Sequence, residues 1–231
     1  MQPAIWLVDQ DPLIADRIVH RMGTPGDVAV LNAAEWQEQI PTVPAGPWLV
    51  NLGDQKLPED IAPLAIRLPE GKWDAPDYFS LGGRRFVSRR FREAVGAMPG
   101  VVEYGHISLA SGGPLAVAQD YRILRVRSAQ PVMDLERSKY ARHSHTRRDG
   151  RTFHWIAYVD AYVPRADLVP ETDIFWDRVF LVTLIAVDAL AERVMQAGCT
   201  GIRFQDPTTQ GVLNGVIRYR TATGVVEEVL G

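Results

Sequence analysis

Residues 179–207, VFLVTLIAVDALAERVMQAGCTGIRFQDP, form the stretch around which the rest of the chain is organised. Residues 179–185 are an apolar run of strand length broken only by Thr183, which predicts a buried strand. Asp188 suits a helix cap or first turn, where a carboxylate accepts orphan amide hydrogens and faces the positive end of the helix dipole. Ala186, Leu190, Val194 and Ala197 then recur at helical spacing, with Glu192, Arg193 and Gln196 on the opposite side. Gly198 stops the helix, because glycine adopts the left-handed conformation that a helix end often needs. Gly201, Ile202 and Phe204 open a second extended segment, and Pro207 ends it. The stretch reads strand, helix, strand, and its apolar content makes it the core.

A weaker version of the same grammar lies roughly a hundred residues earlier. Residues 85–87 are extended, Ser88 is a good cap, and Phe91, Val95 and Met98 make an apolar stripe. Gly100 ends that helix, and residues 101–109 follow as a strand. Either a true repeat or common supersecondary grammar explains this echo, and the second is slightly favoured. Beyond it, residues 121–127 alternate apolar and polar side chains as a half-buried strand should. Residues 133–140 predict a short helix or turn, and residues 143–151 a polar, basic loop. A strand with aromatic residues on both faces is expected over 152–163, implying cover on both sides. Residues 164–177 read as a loop, and residues 212–219 and 225–230 as a terminal hairpin around a Thr-Gly-containing turn.

The N-terminal part reads differently. Residues 1–52 resemble a small alternating α/β lobe. It has strands over 4–8, 28–31 and 48–52, a helix from Asp11 and Pro12 to Gly23, and a second helix from the capping-box pair Asn32 and Glu35. Residues 41–76 then carry seven of the sixteen prolines, a density that excludes long helices and central strands and predicts an irregular connector. Ile61, Leu64, Ile66, Leu68 and Trp73 make it too apolar for a free linker. The expected fold is α+β: a mixed sheet with strand-helix-strand units, preceded by a small α/β N-terminal lobe. Its expected division is 1–76 for lobe and connector and 77–231 for the main domain, with a soft boundary.

Composition narrows the function classes. With 231 residues, 46% hydrophobic and 23% charged, the chain is an ordinary globular protein of one large domain or one domain with a smaller companion. A net charge of −3 argues against a general nucleic-acid surface. The opening MQPAIWLVDQDPL has no basic leader before a long apolar segment, and no apolar run approaches the roughly 20 residues of a membrane span. The expectation is a cytoplasmic protein with no membrane partner. Cys199 is the only cysteine, which excludes an intramolecular disulfide and a cysteine metal cluster, and its position predicts a small buried thiol.

IWLVDQDP suggests the first strand of a phospho-receiver domain, but the third strand, WLVNLGD, puts Asn51 where the phospho-acceptor aspartate belongs. An amide cannot form the acyl phosphate, so Asp9 and Asp11 are read as helix-start residues. His143 and His145, with His154 nearby, have a spacing that could ligate zinc and carry a metal-dependent reaction, which is the alternative reading of function. Their neighbours Arg142, Arg147 and Arg148 disfavour a bound cation, and a solvated loop is the simpler account. There is no G-x-S-x-G elbow and no Walker loop, and Gly82-Gly83 precedes a strand rather than a helix. Arg84, Arg85, Arg89, Arg90 and Arg92 read as a solvated face or as partners in internal salt bridges. No catalytic residue, cofactor or metal is expected.

Four stretches taken in order carry a family resemblance: FVSRRFREAV with GVVEY, DYRILRVRSAQPVMDLERSKY, IFWDRVFLVT, and AERVMQAGCTGIRFQDP. Over roughly residues 84–207 the chain resembles immunity protein family eleven of bacterial polymorphic toxin systems. The matching positions are Val87, Ser88 and Phe91; Tyr121, Asp134 and Ser138; Phe175; and Gly198, Gly201, Ile202 and Phe204. Trp176 stands where that family usually has a basic residue, and the N-terminal lobe lies outside the match. The resemblance implies a protein that binds a cognate toxin domain and neutralises it by surface complementarity, without catalysis. The motif residues are expected to support the fold. For the interface, the loop over 165–177 offers Asp167, Glu171, Asp173 and Asp177 beside Trp176, which as an exposed aromatic with acidic neighbours makes a credible anchor, although an ordinary solvated loop is the simpler account.

Overall fold

A computed structural model describes residues 5–10, 29–31, 64–67, 76–81, 84–111, 119–146, 150, 152–180, 183–209 and 216–229. The helices expected from Asp11 and from Asn32, the strand over 48–52 with Asn51, and the tip of the basic loop lie outside these residues. By backbone proximity the chain forms two compact units. One takes in Met1–Asp9, Ser128–Met195 and Arg203–Gly231, and the other Gln10–Arg127 and Gln196–Ile202. This division does not follow the boundary at 76/77 read from proline density. The apolar run of the first strand pairs far along the chain, with residues 184–187.

The first unit is built on a seven-stranded mixed sheet. In chain order its strands are β1 (Ile5–Gln10), β9 (Ala129–Gln130), β12 (Ile174–Asp177), β13 (Leu184–Val187), β14 (Ile202–Gln205), β15 (Val216–Thr221) and β16 (Gly224–Val229). Their order across the sheet is β16-β15-β14-β1-β13-β12-β9. β1 with β13, β12 with β13, β14 with β15 and β15 with β16 pair antiparallel, whereas β9 with β12 is parallel. β1 is therefore interior, and Ile5, Trp6, Leu7 and Val8 are all buried, as an apolar run without alternation requires. Register sorts the side chains into two faces. Leu7, Ile185 and Phe175 line up on one, and Trp6, Ala186 and Ile174 on the other.

The first face carries the core cluster Ile5, Leu7, Val132, Met133, Val159, Tyr162, Phe175, Phe180 and Ile185. Two of its members, Val159 and Tyr162, come from or just follow an antiparallel ribbon, β10 (Lys139–Thr146) with β11 (Thr152–Ala161). The basic segment expected to be a loop is thus strand over 143–146, and Tyr158 is 55% exposed beside the buried Val159, so cover on both sides does not hold there. On the other face, Trp6 Nε1 donates to Asp188 Oδ1 at 2.8 Å, at the start of helix α2 (Asp188–Gln196). α2 buries Leu190, Ala191 and Val194, while Ala197 lies beyond it and is exposed.

The organising stretch departs from its reading most at its first strand. The strand is Leu184–Val187, not 179–185. Asp177 Oδ1 accepts from the backbone N–H of Val179, and Thr183 N–H donates to Phe180 O, so Val179, Phe180 and Thr183 belong to the connection between β12 and β13. Phe180 still buries its ring, so the apolar run serves a loop as well as a strand.

The second unit has a four-stranded antiparallel sheet of β4 (Tyr78–Leu81), β5 (Arg84–Val87), β6 (Val102–Gly105) and β8 (Arg122–Val126), ordered β4-β5-β8-β6. Helix α1 (Arg89–Val95) follows β5; Ser88 Oγ accepts from Phe91 N–H at 3.2 Å, the N-cap bond. The helix stops at Gly96, whose φ of 77° ends it before Met98, earlier than the apolar stripe implies. Phe79 stacks on Phe86 with centroids 5.0 Å apart and meets Tyr121 edge-on at 5.2 Å. A separate three-stranded sheet has the order β2 (Ala29–Leu31), β3 (Leu64–Arg67), β7 (Ile107–Ser111). Its central strand lies inside the proline-rich connector. The prediction that prolines exclude a central strand fails here because Pro63 and Pro69 flank LAIR and none interrupts it.

Both units repeat one arrangement. The order β4-β5-β8-β6 matches β12-β13-β1-β14: a strand pair, a helix, and a further strand, with one strand from elsewhere inserted between the last two. The inserted strand follows the motif in one unit and precedes it in the other. The echo seen in the sequence therefore extends to strand order, beyond the strand-helix-strand grammar itself.

Candidate partner-binding surface

Two buried carboxylates stand out, and both are committed to structure. Asp177 is fully buried; its Oδ1 accepts from the N–H groups of Val132 (3.0 Å) and Val179 (2.9 Å), and its Oδ2 from the Tyr162 hydroxyl (2.7 Å). Burial first, and the neighbouring Asp177 charge second, push the Tyr162 hydroxyl well above its ordinary range. In the second unit Asp77 accepts from Ser88 Oγ at 2.5 Å, Thr200 N–H at 2.9 Å and Thr200 Oγ at 3.2 Å. Arg90 stands 3.5 Å from it. Sequence reasoning passed over Asp77. The signal available was its place before a strand rich in aromatic residues, which cannot be told from a turn aspartate in one sequence.

The family-motif residues gather around these carboxylates and in the core. Val87, Ser88, Phe91, Tyr121, Phe175, Ile202 and Phe204 are buried. Tyr121 donates from its hydroxyl to Pro76 O at 2.8 Å. Asp134 Oδ1 accepts from Glu136 and Arg137 N–H, shaping a turn where a short helix was the other option. Ser138 Oγ accepts from Val163 N–H at 2.9 Å. Gly198 has a φ of 68° just past α2. At Gly201, with a φ of 81°, a Cβ would collide with Tyr78 O and lie 2.7 Å from Pro76 Cβ. Tyr78 N–H donates to Thr200 O there, so glycine permits a close backbone approach.

The residues expected at an interface divide. Trp176 is 3% exposed and Asp177 0%, so neither is a surface anchor. β12 is an inner strand between β13 and β9, and the predicted loop ends at Ile174 instead of running to Asp177. The remaining three lie on a surface loop over 165–173, pinned at both ends. Arg165 N–H donates to Val132 O (2.8 Å), Val187 N–H donates to Asp173 O (3.0 Å), and Leu168 packs partly against the core cluster.

Between those pins the loop presents Asp167, with 71% of its side chain exposed, then Val169 at 78%, then the exposed Glu171. Arg165 holds Asp167 by two hydrogen bonds, Nε to Oδ1 at 3.0 Å and the second nitrogen to Oδ2 at 2.7 Å. Those bonds keep the Asp167 carboxyl below the usual range. Asp173 pairs with Arg193 at 3.0 Å. Glu171 has no ion-pair partner among the described residues.

No reactive constellation accompanies this loop. Among the described residues no group of three His, Cys, Asp or Glu could hold a metal ion. The ribbon register sets His154 opposite Ser144, between His143 and His145. Cys199 is buried, and burial pushes its thiol up to about 12, away from nucleophilic use. The basic cluster makes internal bonds: Arg92 to Asp120 at 2.6 Å, and Arg90 to Asp77 and to Gly198 O. No described helix is long and apolar enough to cross a membrane.

No curated protein matches the chain. A family model does, over residues 19–209, and so takes in much of the N-terminal lobe and connector that the four sequence stretches leave out. Membership of that family points to an immunity function. With most of its length matched, the chain belongs to the immunity protein family Imm11.

Proposed function

We propose that the protein binds a cognate toxin domain in the cytoplasm and neutralises it stoichiometrically, by covering surface and without catalysis. The observation that carries this reading is the family match across residues 19–209. The pinned loop over 165–173 supports it physically. Its ends are held by backbone bonds, so little ordering entropy is lost on binding, and it offers Val169 between Asp167 and Glu171. An exposed apolar residue flanked by carboxylates suits a basic partner surface, with the charges steering encounter and the apolar contact holding the complex.

The test is binding of a toxin domain encoded beside this chain's gene, with an Asp167→Lys/Glu171→Lys variant as the probe of the loop. The expected result is at least a tenfold weaker complex with an unchanged melting temperature, because both side chains are exposed. Wild-type affinity in the variant removes the loop from the interface. Absence of any complex with the unaltered chain removes the toxin-binding reading itself.

A further inference from the structure

β16 closes one edge of the seven-stranded sheet, with β15 on its inner side. Its sequence is GVVEEV, and burial along it reads almost entirely exposed. Val225, Val226 and Val229 are 52%, 47% and 75% exposed, three branched apolar side chains on a six-residue strand. The pairing with β15 runs from Val216↔Val229 to Thr221↔Gly224 without a bulge. The strand therefore has a regular outer row of backbone N–H and C=O groups. Natural edge strands are usually blunted by lysine, proline, a bulge or a covering element. β16 has no lysine, proline or bulge, and its side chains are open to solvent.

We infer that β16 is a docking edge that takes an extended, basic segment of a protein partner as an eighth strand. This rests on the toxin-binding reading and names where on this chain the toxin would be gripped. Main-chain bonds along such an edge give affinity, and side chains on the two faces give selectivity. Charge selects the occupant. Glu227 and Glu228 are the only charged residues of β16. Glu228 already meets Arg203 at 3.2 Å, whereas Glu227 has no ion-pair partner among the described residues. A second copy of the chain fits poorly. In two-fold antiparallel registers centred on residues 226 to 229, a glutamate falls directly or diagonally opposite a glutamate of the other copy, which is destabilising, and registers centred on Gly224 or Val225 leave at most three residues of the strand facing the other copy. Lysine or arginine on the incoming strand relieves that charge, and β-branched or aromatic neighbours cover the valines.

The experiment uses the full chain with the toxin domain encoded beside its gene. The Val226→Lys/Val229→Lys variant changes only exposed positions and is expected to keep the wild-type melting temperature. Its complex is expected to be at least tenfold weaker, and Glu227→Lys is expected to weaken binding more than Glu227→Gln. Hydrogen exchange on the wild-type complex is expected to slow at backbone amides of residues 225–229. If the wild-type chain binds, the lysine variant binds equally and those amides stay unprotected, the edge is not the site and toxin binding stands. If the wild-type chain does not bind, both readings fall. A free protein that is dimeric at micromolar concentration, and monomeric as the lysine variant, assigns the edge to a second copy and overturns the proposal.

Discussion

Removing the Asp177 carboxylate gives the sharpest test of the first unit's construction. Asp177→Ala leaves the N–H groups of Val132 and Val179 and the hydroxyl of Tyr162 without their acceptor, at a position of zero exposure. Each orphaned buried donor costs about 1–3 kcal/mol, so the expected loss is on the order of 4 kcal/mol after partial relaxation. That is a large share of the about 5–15 kcal/mol that holds a domain together. Asp177→Asn keeps an oxygen for the two amides and disturbs only the Tyr162 contact, and should lose about 1–2 kcal/mol. Tyr162→Phe alone removes the donor to Oδ2, and the Asp177→Ala/Tyr162→Phe pair should cost less than the sum of the single changes, since the orphaned hydroxyl is gone. Urea denaturation followed by tryptophan fluorescence measures all four. An Asp177→Ala variant within about 0.5 kcal/mol of wild type would refute the account of this network and return Asp177 to the surface.

Two further perturbations follow from the same geometry. Gly201→Ala should lose more than about 2 kcal/mol by thermal melting, because a left-handed φ and a collision with Tyr78 O act together; an unchanged melting temperature contradicts the close approach. In alkali, burial holds the Cys199 thiol from its ordinary 9.0 up to about 12 and the Tyr104 hydroxyl from 10.0 up to about 12. The folded chain then keeps protons that the unfolded chain loses, so stability should fall as pH rises from about 9 toward 12, and Cys199→Ala should flatten the earliest part of that fall. Urea midpoints that stay level across that range would contradict it.

Much of the fold was legible because apolar patterning and glycine punctuation are local. Leu190, Val194 and Gly198 fixed α2, and the turn before Gly224 marked the C-terminal hairpin. What was not legible depended on partners distant in sequence. β1 lies between β13 and β14, nearly the whole chain away, and although its apolar run suits an interior strand, nothing within residues 5–10 names those partners. Asp177 and Trp176 looked like loop residues because a polar side chain after an aromatic one reads as surface. Only the donors from Val132, Val179 and Tyr162 make that carboxylate a core residue. The proline rule failed over 64–67 because it was applied to the density of a region instead of to the four residues of the strand. Of the expected interface, Asp167, Glu171 and Asp173 are at the surface, and Val169, the most exposed apolar side chain between them, was overlooked as a loop valine without pattern.

The central claim is neutralisation by binding, and titration of toxin activity against the purified chain measures it most directly. Toxin activity should fall linearly with added chain and vanish near one chain per toxin, with no effect of a metal chelator on the end point. Activity that persists at a large excess of chain, or that disappears with far less than one chain per toxin, would contradict the account.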